Sequence, residues 1–201
     1  VRLPMGVYDI IVFNRSFNDF SNIAFRGNSY ETLEAYARKV ETRVDKKTRV
    51  ETRTIISSPD ELAAATLEGF TVTEDMLGNY NQTTYGRTAP SRSSEETPDG
   101  LYHLHFVPKK LTREVSAVLH IEGLNNIRSA TCRLGGVAES IFLATGKTSA
   151  NTVTQEFTPS NPEFSPGSPF NGTLSCEFEI FGLNVIDNNN LHLDALLVDG
   201  K

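Results

Sequence analysis

Glu114-Val-Ser-Ala-Val-Leu-His-Ile-Glu122 decides the fold class, together with Gly135-Gly-Val-Ala-Glu-Ser-Ile-Phe-Leu143 beyond it. In the first run Val115, Ala117, Leu119 and Ile121 share one face, while Glu114, Ser116, His120 and Glu122 share the other. That is the period-two pattern of a half-buried strand, and only Val118 breaks it. Turn residues follow at Gly123 to Asn126, and a second strand is expected at Ala130 to Leu134. The Gly135-Gly136 pair then reads as a break before a third apolar strand, so the stretch predicts a β-meander.

Further strands are expected on both sides. Val7 to Phe13 is apolar on both faces and reads as an interior strand. A hairpin is expected across Val40–Val44 and Val50–Ile56, with strands at Gly69–Glu74, Leu101–Val107, Val153–Phe157, Thr173–Leu183 and Leu191–Val198. Pro159 to Gly172 reads as a loop. Two short helices are expected in the first half. One spans Tyr30 to Val40, where apolar residues recur at near-helical spacing after Ser29, with an extended arm as the alternative reading of the same segment. The other starts at Ser58-Pro59-Asp60-Glu61, with a cap, an N1 proline and acids in its first turn. Residues 78–100 hold almost no aliphatic side chains and read as a mobile surface loop. Pro108-Lys109-Lys110 breaks the pattern again. The reading is therefore an all-β chain of two sandwich domains, 1–108 and 109–201.

Composition limits the function. A net charge of −6 in 201 residues argues against nucleic acid, whose phosphates need a basic surface. Seven Lys/Arg face three Asp/Glu between Arg38 and Arg53, the ordinary pattern of a solvated, charge-alternating ribbon. No stretch approaches the length of a membrane helix, and the chain as given carries no signal peptide. It opens on Val1, without an initiator Met, and reads as a fragment or processed form. Cys132 and Cys176 each fall within an expected strand; they can bridge if those strands are neighbours, and two buried free thiols fit equally well.

Candidate chemistry is sparse. Gly146-Lys147-Thr148 ends like a phosphate-binding loop, but Ile141 stands where that motif needs Gly. His103 and His105 would share a strand face as half a metal site, with His120 or His192 to complete it; two polar-face histidines are the simpler reading. Asp187 to Asn190 reads as a turn rather than a calcium loop. No nucleophile elbow or zinc helix occurs. The expectation is a non-enzyme without cofactor or metal. Asn-x-Ser/Thr sequons stand at Asn14, Asn81 and Asn171 and are uninformative in an Asn/Thr-rich chain.

Several elements resemble Bacteroidales fimbrillin-like (FimA/Mfa-type) surface lipoproteins. They are Val1-Arg-Leu-Pro-Met-Gly-Val-Tyr-Asp-Ile-Ile-Val-Phe-Asn14, Ser58-Pro-Asp60, Lys110-Leu-Thr-Arg113 before the Val115 strand, and Gly135-Gly-Val-Ala-Glu-Ser140. The resemblance implies two transthyretin-like, Greek-key sandwiches, the first lacking its opening strands. It also implies export as a lipoprotein to the outer-membrane surface or fimbrium, and cell adhesion as a pilus or adhesin subunit. The implied partners are other pilus subunits and a host or bacterial surface protein or glycan. The membrane would be reached only through a lipid anchor absent from this chain.

Such subunits assemble by β-strand addition, in which backbone ladders give affinity and alternate side chains give register. The edges expected to take part are Val7, Ile11 and Phe13, and Leu191, Leu193 and Leu197. The alternative is a carbohydrate-binding sandwich module of a surface glycan system. The lack of Trp disfavours it, and Tyr80 and Tyr85 are its available platform residues.

Overall fold

The structure is a computed structural model that describes residues 3–40, 54–77, 102–184 and 189–200. The described part is all-β, with strands β1 (Gly6–Phe13), β2 (Ile23–Arg26), β3 (Glu34–Ala37), β4 (Ile55–Ile56), β5 (Ala63–Val72), β6 (Lys109–Lys110), β7 (Arg113–Ile121), β8 (Ile127–Ala138), β9 (Ser140–Phe142), β10 (Thr152–Phe157), β11 (Asn161–Phe164), β12 (Gly172–Ile180) and β13 (Leu191–Leu197). They form four sheets, ordered β1-β5-β6, β13-β8-β10-β4, β11-β12-β7 and β2-β3-β9. The pairs are antiparallel except β10 with β4.

The sheet β13-β8-β10-β4 packs against β11-β12-β7 as a sandwich. Phe157 of β10 stacks on Phe178 of β12 at 4.2 Å between centroids. The alternation in Glu114–Glu122 is realised in β7, where Val115, Ala117, Leu119 and Ile121 are half-buried and Glu114, Ser116, Val118 and His120 point outward. The expected meander is not formed, however: β7 pairs with β12, whereas β8 pairs with β10 and β13. The 3-10 turn Leu124–Asn126 carries the chain from one sheet to the other, and its Leu124 is buried with Ala130 and Leu174 between them. Two residues of alternating polarity define a face, but they do not define a neighbour.

The Gly135-Gly136 pair also acts differently from expectation. β8 runs through it, and Gly136 takes φ 76°. Pairing to β10 jumps there from Val153↔Val137 to Gln155↔Leu134, a bulge that glycine accommodates without Cβ strain. β9 then leaves this sheet to pair with β3.

Neither expected helix exists. Ser29 caps a single turn, its Oγ accepting from the Thr32 amide and its carbonyl from the Leu33 amide, and the chain then extends as β3. At Ser58 the hydroxyl is committed elsewhere, accepting from the Glu179 amide, and Leu62 is fully buried with its amide donating to Thr112 Oγ1. Tertiary partners thus override local helix signals. Val7–Phe13 is an edge strand rather than an interior one, with Val7 and Asp9 exposed. His103–Val107 forms no strand, and β11 lies within the expected Pro159–Gly172 loop. Of the expected 40–56 hairpin only Val40, Thr54 and β4 belong to the described residues, and 78–100 lies outside them.

Strands from both sides of the 108/109 position share sheets: β6 pairs with β5, β9 with β3, and β10 with β4. One buried cluster runs from Phe20, Ile23, Ala35, Ile56 and Leu62 to Val137, Ile141, Phe157, Phe178 and Phe181. Beside it Phe13, Phe17, Phe20 and Phe25 pack edge-on and stacked, with centroids 4.6–6.2 Å apart. No helix among the described residues is long and apolar enough to cross a membrane.

Candidate functional site

The edge strands of a β-sheet present unpaired backbone amides and carbonyls, groups that can pair with another chain. Among the described residues, both strands expected from the sequence to offer such edges lie at sheet edges: β1 pairs only with β5, and β13 only with β8. They differ in how open they are. The partner of β1, β5, carries the extra residue of a bulge at Glu68-Gly69, opposite Asp9, whose Oδ1 accepts a hydrogen bond at 2.8 Å from the Gly69 amide. A bulge and a charged side chain at the edge are the devices that blunt strand pairing. Ile11 and Phe13 are spent on the core, Phe13 stacking on Phe25 at 5.4 Å.

β13 has no such protection over Leu191–Leu196. It contains no proline or lysine, its single bulge falls at Leu196/Leu197, and Asp194 is already paired with Arg133 at 2.8 Å. Leu191 and Leu193 are 50% and 41% exposed, and Leu197 is half-buried. Their partners across the pair are Leu134, Cys132 and Ile127, on the face of the sheet that points inward. Cys132 itself is fully buried. The cover over this inner face therefore ends between β8 and β13.

A third open edge, β7, has no counterpart among the sequence-derived edge residues. Among the described residues it pairs only with β12, over nine residues, and its inner face is half-exposed along its length. Sequence alternation marks that face as core. Incomplete cover depends on what lies beyond the next strand, which alternation does not record.

The other candidates come out as structure rather than chemistry. Cys132 and Cys176 are free thiols in the same buried cluster. Burial pushes both upward in pKa, and Cys132 is raised further by Cys176 and Asp194. Gly146-Lys147-Thr148 is a tight turn after β9: the Gly146 amide donates to the Phe142 carbonyl, and the Phe142 amide to that of Lys147. His103 and His105 are exposed on irregular chain, so the shared strand face is lost, while His120 and His192 sit on β7 and β13. Among the described residues no three His, Cys, Asp or Glu come together to hold a metal.

Asn14 braces the β1–β5 corner, donating to the Glu61 carbonyl and accepting from the Ala63 amide. Asn171 accepts from the Gly123 amide. Asn81, Tyr80, Tyr85, most of the Arg38–Arg53 ribbon and half of the Asp187–Asn190 turn lie outside the described residues.

Residues 1–158 match the family described as "Domain of unknown function (DUF5119)". No curated protein matches the chain. Among solved structures the fold is similar to a crystal structure described as that of "a putative adhesin from Bacteroides ovatus", with TM-score 0.61 and 15% identity over 99% of this chain. The chain spans 63% of that protein's length.

Proposed function

The chain belongs to the family described as Domain of unknown function (DUF5119), and from its open edges we propose that it is a non-catalytic cell-surface adhesin or pilus subunit. It would be exported, held at the outer-membrane surface or in a fimbrium by a lipid anchor outside this chain, and joined to other subunits by β-strand addition. The observation that carries this reading is the long unblunted edges of the sandwich, β7 and β13, each backed by half-exposed apolar side chains. An edge of that kind in a monomer invites pairing, and a subunit that polymerises through strands requires one. The likeness in fold to a protein described as an adhesin supports the same reading.

To test it, the purified chain is concentrated and analysed for ladders that resist detergent at room temperature. Beads coated with it are scored for attachment to bacterial and epithelial cells. The expected result is at least one of the two. Absence of ladders, together with attachment no better than that of beads coated with an unrelated sandwich domain, would overturn the proposal.

A further inference from the structure

We propose that the hairpin arm joining β11 to β12 is a binding site for neutral oligosaccharide, with the rings of Phe164 and Phe170 as its stacking surface. This rests on the adhesin part of the reading above and says which surface makes contact and with what chemistry.

The two rings stand out because the core does not account for them. Phe164 is 47% and Phe170 59% exposed, and neither belongs to a core cluster. Phe17 is as exposed, at 52%, but its ring packs edge-on against Phe13 and Phe25. Among the described residues Phe164 and Phe170 make no ring contact of that kind. All of β11 is exposed as well, so the arm projects from the sandwich. Pro162 and Phe164 share a face with Leu174, the cross-strand partner of Pro162, while Glu163 takes the opposite face.

The arm is nonetheless firmly held. Gly172 is buried across from Phe164, and a Cβ there would lie 2.2 Å from the Glu163 carbonyl oxygen and 2.8 Å from Leu124, so the arm closes tightly onto the Leu124–Asn126 turn. The Asn171 side chain fastens the same turn, accepting from the Gly123 amide at 3.1 Å. Within the loop the Ser165 amide donates to the Asn171 carbonyl, and the Ser168 amide to that of Ser165. Ser168 Oγ accepts from the amides of Phe170 and Asn171. Pro166 and Pro169 have no amide hydrogen and a fixed φ. Rings on such a loop lose little freedom when they bind, which is what a preorganised contact surface requires.

The chemistry of the ligand follows from what surrounds the rings. Glu163 is the sole Asp, Glu, Lys, Arg or His from Phe157 to Cys176, so the arm has no cation for a phosphate, sulfate or carboxylate, and its one acid lies on the far face. Pro162 removes a donor from β11 and the loop amides are spent internally, so a peptide backbone finds few partners here. What remains is two phenyl rings beside the exposed hydroxyl and amide side chains of Ser165, Asn125 and Asn126. A pyranose matches that set. Its C–H face lies against the negative face of an aromatic ring, and its hydroxyls exchange hydrogen bonds with serine and asparagine, which accompany aromatic anchors in adaptable recognition loops.

The test applies the full chain to an array of immobilised neutral, sialylated and sulfated oligosaccharides, beside Phe164→Ala, Phe170→Ala, Phe164→Tyr and Phe17→Ala. The altered rings are all exposed, and folding is checked by circular dichroism. Neutral glycans are expected to be preferred over acidic ones, with binding unchanged by added salt. Phe164→Ala and Phe170→Ala should each weaken binding by about tenfold, the loss expected of a truncated aromatic anchor, while Phe164→Tyr and Phe17→Ala stay within about twofold.

An array without neutral hits, or binding that survives both alanine substitutions, would overturn the proposal. So would cell attachment that the alanine variants lose while the array stays empty, since the arm would then meet a protein. In each of these cases wild-type beads that attach, or ladders that form, leave the parent reading standing; if both are missing as well, it falls with the proposal.

Discussion

Replacing Phe157 with Ala tests whether the chain unfolds as one body. Phe157 is 8% exposed and lies nearly parallel to Phe178, 6% exposed, with their centroids 4.2 Å apart. Truncation of a buried phenylalanine costs about 3–5 kcal/mol. The stacked geometry places this one in the middle or upper part of that range, since an aromatic pair contributes about 0.5–1.5 kcal/mol beyond area. Taking about 4 kcal/mol, and about 2–4 °C per kcal/mol for a chain of this size, the melting temperature should fall by roughly 8–16 °C.

The informative readout is remote from the mutation. Ile23 of β2 and Ala35 of β3 belong to the same buried cluster as Phe157, although they come from the other side of residue 108. If that cluster is one cooperative core, the slowest-exchanging amides of β2 and β3 open only by global unfolding. Their exchange should then accelerate by roughly a thousandfold in Phe157→Ala, in step with β10 and β12. Two sandwiches folding independently would instead give two thermal transitions, with β2–β3 protection unchanged. That outcome would refute the shared core. As a control, Phe17→Ala removes an exposed ring packed edge-on against Phe13 and Phe25, and should cost only about 1 kcal/mol.

Three further outcomes are expected. Burial opposes ionisation of Glu34, but donation from Arg26 and Ser140 and the charge of Arg26 outweigh it and hold its carboxyl below the ordinary value. A depressed folded pKa stabilises above the unfolded value of about 4.3 and is lost as pH falls through the folded one. Acid unfolding of Glu34→Gln should accordingly show a shallower pH dependence below that value, and an unchanged slope would contradict the pairing. Gly27 has φ 99°, and a Cβ there would sit 2.1 Å from the Thr32 carbonyl oxygen. Gly27→Ala should cost more than about 2 kcal/mol by urea denaturation, and Gly167→Ala, with φ 78° in open space, about 1 kcal/mol; equal costs would deny the close approach. Finally, with both thiols raised in pKa, Cys132 and Cys176 should react with a disulfide reagent at pH 8 much more slowly in the native chain than in urea. Native labelling as fast as in the denatured chain would refute their burial.

The all-β class and the strands later seen as β1, β7, β10, β12 and β13 were legible from period-two alternation, because a residue's side of a strand is a local property. The errors share a physical origin in partners far away in sequence. Ser29 and Ser58 both carry helix-start chemistry, yet the Glu179 amide, 121 residues away, takes the Ser58 hydroxyl and leaves the next turn without its cap. The Gly135-Gly136 pair signals a backbone irregularity correctly, but whether it ends a strand or bulges one is decided by β10, which pairs on both sides of it. Likewise the apparent meander fails because Leu124 offers the turn after β7 a buried seat between two sheets, which a hairpin would not supply.

The candidate site shows the same division more sharply. Leu191, Leu193 and Leu197 could be picked from sequence because they alternate near an open end, and they do lie on an edge strand. Val115, Ala117, Leu119 and Ile121 have the same alternation and read as core, which is half true: they face inward and are half-buried, but among the described residues no further strand pairs with β7 beyond them. The distinction depends on a difference of one strand between two facing layers, four in one sheet and three in the other. No local pattern encodes that count, since each strand's sequence records only that a face is apolar. An open edge of this kind therefore looks like ordinary core in the sequence and becomes visible only as a gradient of exposure, from Cys132 to Leu193 in one layer and from Phe178 to Val115 in the other. Pairing at such an edge would extend the core as folding does, by burying apolar side chains that the strand already turns to one face.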